Sequence, residues 1–116
     1  MEVRRRLIAE TLSGRTIMKT RQDYERTLAS IGEVIRSWDP YALVREGAPQ
    51  DEFDAEIAKL ATHVPTIRTA EDAGRAVSSV FSSAFGPEDF DVDSCRDVGR
   101  LLFERLERDG LLAAAV

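Results

Sequence analysis

Between Thr69 and Gly86 the apolar residues recur with one period only. Ala73, Ala76, Val77, Val80, Phe81, Ala84 and Phe85 fall at i, i+3, i+4, i+7, i+8, i+11 and i+12, which is one face of a 3.6-residue helix. Ser78, Ser79, Ser82 and Ser83 take the opposite side. Such a stripe must be buried against other elements, and the rest of the chain supplies only further helices. No segment alternates with period two for long, and no Asn-Gly hairpin signal occurs. Thr69 with Asp72 three residues on reads as an Asp variant of the capping box. Gly86-Pro87 stops the helix.

The other elements follow the same logic. Tyr24, Leu28, Ile31, Ile35 and Trp38 are spaced 4, 3, 4, 3 and predict a helix over 20–38. Asp39-Pro40 ends it, because the residue before proline is pushed out of the α region. Asp39 as N-cap and Pro40 as first residue then predict a short helix to about Glu46, closed by Gly47. Ala48-Pro49 is a turn. Asp51, Glu52 and Asp54 crowd the start of the next helix, where carboxylates favour the positive end of the macrodipole. Phe53, Ile57, Leu60 and Val64 give its apolar face, and it ends near His63, before Pro65. A last helix is expected from Asp93, as N-cap, to Asp109. Its apolar residues Cys95, Val98, Leu101, Leu102, Phe103 and Leu106 cover more than half the circumference, which predicts the most enclosed helix. Gly110 caps it, and 111–116 form a short apolar tail. The fold class is all-α, a single bundle of four to five helices.

Residues 1–17 stand apart. They sum to +2, against −7 for the rest of a chain whose net charge is −5. Arg4-Arg5-Arg6 precedes only three apolar residues, too few for a signal peptide, whose core needs roughly seven or more. Val3, Leu7, Ile8 and Leu12 could form one helical stripe, broken by Ser13-Gly14. The organisation expected is a basic extension over 1–17, upstream of an alternative start at Met18, and one helical domain over 18–116.

Composition excludes much chemistry. One Cys and one His rule out a disulfide framework and an ordinary zinc site. No apolar run approaches the ~20 residues of a membrane span. The basic triplet is too short to argue nucleic-acid binding in an acidic chain. No P-loop, dinucleotide fingerprint or H-E-x-x-H occurs, so no cofactor is expected. Asp89, Asp91 and Asp93 resemble half a calcium loop, but its positions 6 and 12 hold Ser94 and Arg100 instead of Gly and Glu. His63 and Cys95 could in principle form a base–nucleophile pair, yet nothing local marks either as activated. The serine pairs lack a nucleophile elbow and read as a small polar face.

The stretch Trp38-Asp39-Pro40, Leu43, Gly47-Ala48-Pro49, Asp51-Glu52-Phe53-Asp54 and Glu56-Ile57 resembles the signature of the YugE-like family, small bacterial all-α proteins of unknown function. The resemblance spans about 28–106, with Phe53 where the family typically has Tyr. It implies an all-α fold and a bacterial cytoplasm, and no reaction. Physically, Trp38, Pro40, Gly47, Pro49 and Phe53 read first as a structural motif that turns the chain twice.

Two segments are acidic. From Asp39 to Glu56 there are six acids (Asp39, Glu46, Asp51, Glu52, Asp54 and Glu56) and one base, Arg45; from Glu88 to Asp97 there are five acids and one base, Arg96. They suggest a non-catalytic module whose acidic helix junctions bind a basic protein, as an immunity-type protein binds a nuclease toxin. The alternatives are a metal-assisted hydrolase using the carboxylates of 51–56, and a structural or oligomerisation domain. The oligomeric state stays open.

Overall fold

The computed structural model describes residues 21–43, 45–49 and 51–112. Residues 1–20, which include the basic extension, lie outside that part, as does the end of the tail. Among the described residues there are four α-helices and no strand: α1 (Arg21–Trp38), α2 (Asp54–His63), α3 (Ala70–Phe85) and α4 (Arg96–Arg108). Each helix packs against the next, and α4 closes the ring against α1. The expected all-α bundle is therefore the observed fold.

Local signals set most boundaries. The Thr69 hydroxyl accepts the Asp72 N–H at 3.0 Å. The Asp72 carboxylate reaches back one residue beyond the usual box and accepts the Arg68 N–H at 3.0 Å. At the other end of the chain, Gly110 has φ 71°. Its N–H bonds the Glu107 carbonyl, and the Leu111 N–H bonds the Leu106 carbonyl at 2.9 Å. That pair of bonds is a Schellman motif, and it drives Leu111 into the core.

The core is the sum of the stripes. Ile31 and Ile35 from α1, Phe53, Ile57, Leu60 and Val64 around α2, Ala73, Val77, Val80 and Phe81 from α3, and Cys95, Val98, Leu102 and Leu106 around α4 are all buried. Full burial of one such aliphatic side chain contributes roughly 1.5–3 kcal/mol. Phe81 is the centre of an aromatic cluster. Its ring lies 5.1 Å from Trp38, 5.5 Å from Phe90, 5.8 Å from Phe85 and 6.1 Å from Phe53.

Several expectations fail for identifiable reasons. The helix over 40–46 does not form. Asp39, Tyr41 and Ala42 have φ of 49°, 64° and 55°, which no right-handed helix accepts, so only a 3-10 turn remains at Pro40–Ala42. Asp39 makes no cap bond there. It ends α1 in the left-handed conformation that Asp tolerates. α2 begins at Asp54, with Asp51 and Glu52 in the preceding turn.

α4 begins at Arg96, not Asp93. The turn before it is held by Asp91, whose carboxylate accepts the Ser94 N–H at 2.8 Å. Nor is α4 the most enclosed helix. Leu101 is 50% exposed and Phe103 half-buried, whereas α3 buries residues on both sides of its stripe, Gly74 and Ser78 included. Ala84 and Tyr24 are exposed and Trp38 is half-buried.

The serine face is divided: Ser79 and Ser83 are exposed, while Ser78 and Ser82 turn inward. Ser78 donates to the Phe90 carbonyl at 2.6 Å, and Ser82 donates to the same oxygen at 3.1 Å. The Cys95 thiol approaches it at 3.8 Å. The two hydroxyls therefore tie α3 to the α3–α4 connection and satisfy a carbonyl on a buried residue.

A polar seam joins α1, from Arg26 to Glu33, to the end of α4. Ser30 donates to the Asp109 carboxylate at 2.6 Å, Arg105 pairs with it at 2.7 Å, and Arg105 also reaches Glu33 at 2.6 Å. Arg26 donates to the Asp109 carbonyl at 2.8 Å. The Ser30 bond, followed by that of Arg105, holds the Asp109 carboxyl below the usual carboxylate range. A depressed carboxyl pKa stabilises the fold above its unfolded value, about 3.9, and the contribution fades as pH falls through the folded value. Carbon-13 NMR titration should find Asp109 among the lowest carboxyls. Ser30→Ala should move it upward and narrow the stability difference between pH 5 and pH 2. An unchanged titration in Ser30→Ala would remove the seam from the account of acid stability.

Candidate functional site

The connections after α1 and after α3 lie at the same end of the bundle, because successive helices run in opposite directions. Tyr41 joins them. Its hydroxyl donates to the Asp89 carboxylate at 2.7 Å, and its ring packs edge-on against Phe85 and Phe90 at 6.0 and 5.5 Å. The two acidic segments, separate in sequence, thus form one acidic end. Glu46, Asp51, Glu52, Asp54, Glu88, Asp89, Asp91 and Asp93 are all exposed there.

The bases at this end are mostly engaged. Arg36 lies 3.8 Å from Asp54, Arg96 pairs with Asp93, and Arg45 contacts Asp39. Among the described residues, Glu46, Asp51, Glu52 and Glu88 have no base within ion-pair distance. Tyr41 is 51% exposed in the middle of this field. Its hydrogen bond to Asp89, with the charges of Asp89 and Glu88, pushes the phenol above its ordinary value. Among the described residues Tyr41 is also the bulkiest at positive φ, a conformation that persists only where surrounding contacts impose it. Val92, on the other acidic connection, is 49% exposed.

Two of the acids expected at a binding surface are not on it. Asp39 is only 3% exposed; its carboxylate accepts the Arg45 backbone N–H at 3.1 Å and faces the Arg45 guanidinium at 3.6 Å. It is buried because the left-handed turn at the end of α1 folds the chain back over it. Glu56, on the inner side of α2, is 9% exposed. Glu46, Asp51, Glu52 and Asp54 are exposed. Of the turn motif, Phe53 and Pro40 are buried, Trp38 is half-buried, Gly47 turns the chain at φ 110°, and Pro49 is exposed.

The geometry gives little to the catalytic alternatives. Among the described residues no three His, Cys, Asp or Glu side chains converge as a metal site. Asp89, Asp91 and Asp93 point to three different partners, Tyr41, Ser94 and Arg96. Cys95 is fully buried, and desolvation followed by the Asp91 charge pushes its thiol up to about 11. A thiol so placed is a core residue and a poor nucleophile.

Compared with protein-family models, curated proteins and solved structures, the chain matches none. No helix among the described residues is long and apolar enough to cross a membrane.

Sequence reasoning missed Tyr41 as the bridge. Its only local signal is position: an aromatic directly after Asp39-Pro40 cannot continue the α1 stripe and has to find contacts elsewhere.

Proposed function

We propose that this protein is a non-catalytic binding module that engages a basic protein through the acidic end of the bundle, with Tyr41 as its anchor. The observation that supports this reading is the Tyr41–Asp89 bond, which draws two acidic connections around one exposed aromatic ring. An aromatic anchor inside a like-charged field is the arrangement that gives an interface both affinity and fast association. An immunity-type role against a nuclease toxin fits this chemistry, as does the cytoplasmic, bacterial setting that the family resemblance implies.

The test is affinity capture from a lysate of the source organism, followed by binding kinetics across salt. A basic partner should associate faster at low ionic strength. Replacing Asp51, Glu52 and Glu88 by their amides should lower the association rate more than it raises dissociation. Tyr41→Ala should act on dissociation and cost about 2 kcal/mol of affinity, roughly thirty-fold. Capture of no basic partner, or affinity indifferent to salt and to both variants, would leave the acids as solubilising charges.

A further inference from the structure

A groove of about 830 Å³ runs between α1 and α4, with Val34, Trp38, Val98 and Leu101 as its apolar floor. Leu101 is 50% exposed, Val34 and Trp38 are half-buried, and no described element covers them. Most charges around this floor are matched within the chain. Glu33 is held by Arg105 at 2.6 Å, and Glu104 lies 3.7 Å from Arg100. Two groups of opposite sign are left. Asp97 is exposed and has no base within ion-pair distance among the described residues. The Arg108 side chain is 70% exposed and lies 3.6 Å from Asp109, whose carboxylate Ser30 and Arg105 already hold more closely. Taken together, Glu33, Asp97, Glu104 and Asp109 face Arg100, Arg105 and Arg108, a balance of −1 on a chain of net charge −5.

We propose that this face is an interface between two copies of the chain, packed groove to groove with their α4 helices antiparallel. Charge complementarity carries the assignment. Asp97, Leu101, Glu104 and Arg108 are spaced 4, 3 and 4, so they form one line along the outside of α4. A two-fold axis midway between Asp97 and Arg108 sets each Asp97 against the partner's Arg108, which matches both leftover charges in one operation. The same axis passes about 2 Å from Leu101 along the helix, at ~1.5 Å per residue, so Leu101 meets the partner's Leu101. Glu104 then falls beside the partner's Arg100, and Glu33 stays with its own Arg105. A parallel arrangement would instead stack Asp97 on Asp97 and Arg108 on Arg108. The near-neutral balance also makes this the face on which two acidic chains repel each other least. A face about 20 Å long and two helices wide buries on the order of 400 Å² per copy, which is the size of a reversible interface and not of a permanent one.

This inference stands apart from the binding role above and needs no external partner. Sedimentation velocity of the full chain across concentration should show a reversible monomer–dimer equilibrium. Trp38 is the sole tryptophan of the chain and lines the groove, so its emission should move to the blue as the dimer forms. Leu101→Asp should leave the chain monomeric. The antiparallel arrangement has a test of its own. Asp97→Arg and Arg108→Asp should each weaken self-association by about ten-fold or more, because two like-charge contacts replace two opposite ones. Mixed in equal amounts, the two variants should associate about as tightly as the parent, since a dimer of one with the other restores both opposite-charge contacts. Circular dichroism melts check that each variant is folded, and the two exposed charge reversals decide the matter if Leu101→Asp does not fold. A full chain that stays monomeric at every concentration would overturn the proposal and leave the groove to another occupant. A dimer with unchanged Trp38 emission would place the interface elsewhere and overturn it too. So would a mixture of the two reversals that associates no better than either variant alone.

Discussion

Phe81→Ala should destabilise the protein by about 3–5 kcal/mol, the range for removing a large aromatic from a core. The ring is fully buried and touches aromatics from α1, from the turn before α2, from α3 itself and from the α3–α4 connection. No single neighbour can collapse into the space, because each is held by a different element. A domain of this size has a total stability of roughly 5–15 kcal/mol, so the loss is a large fraction of it. The melting midpoint should fall by roughly 15 °C or more. Phe85→Ala makes the control: the ring is half-buried at the end of α3, and its loss should cost less than half as much. Urea and thermal melts of the two variants decide the matter. A Phe81→Ala midpoint within a few degrees of the parent would mean that the cluster is not the keystone of the bundle.

Gly99→Ala should destabilise by about 2–3 kcal/mol, although alanine is the better helix former. A methyl group at Gly99 would sit 2.5 Å from the Gly74 Cα and N, on the backbone of the facing helix. Neither backbone can swing aside as a side chain would, so α3 and α4 must move apart along their whole contact. Overpacking of this kind costs about 1–3 kcal/mol and occasionally more, against a gain in helix propensity of up to about 1. Gly74→Ala should behave oppositely. Its nearest neighbour would be the Cys95 carbonyl at 3.5 Å, an ordinary contact, so the propensity term dominates and the variant should be neutral or slightly more stable. Chemical denaturation of the two single variants gives the sign of each. Equal effects would show that the close approach of the helices is not what glycine serves here.

These glycines mark the line between what could be read and what could not. The period of the apolar residues, the Thr69–Asp72 cap, the proline after Asp39 and the glycine after Asp109 are local features. Their consequences act within one or two turns of helix, and they predicted three of the four helices to within about two residues and the fourth to within three. The same stripes predicted Ile31, Ile35, Phe53, Ile57, Leu60, Val77, Phe81, Val98, Leu102 and Leu106 as core, and all are buried. Local reasoning failed where a residue had two good uses. Asp39 is a sound N-cap on paper, but positive φ values at Asp39, Tyr41 and Ala42 made it the end of α1. Asp93 is another such residue: the Cys95 and Arg96 N–H groups it would cap go to backbone carbonyls, and its carboxylate pairs with the Arg96 guanidinium.

What the sequence determined by itself is thus the class, the helices and the apolar face of each, because a helix is a local object whose period is written in its own residues. The tertiary structure alone decided which faces meet. It brought Gly74 to Gly99, aimed Ser78 and Ser82 at the Phe90 carbonyl, buried Asp39 and Glu56, and left Leu101 half exposed beside Trp38. It also made one acidic end of two acidic segments through Tyr41 and Asp89. Those pairings join residues from 8 positions apart, Ser82 and Phe90, to 63, Trp38 and Leu101. Their geometry depends on how helices cross and on which way a turn leaves α1, and neither is encoded in the spacing of apolar residues.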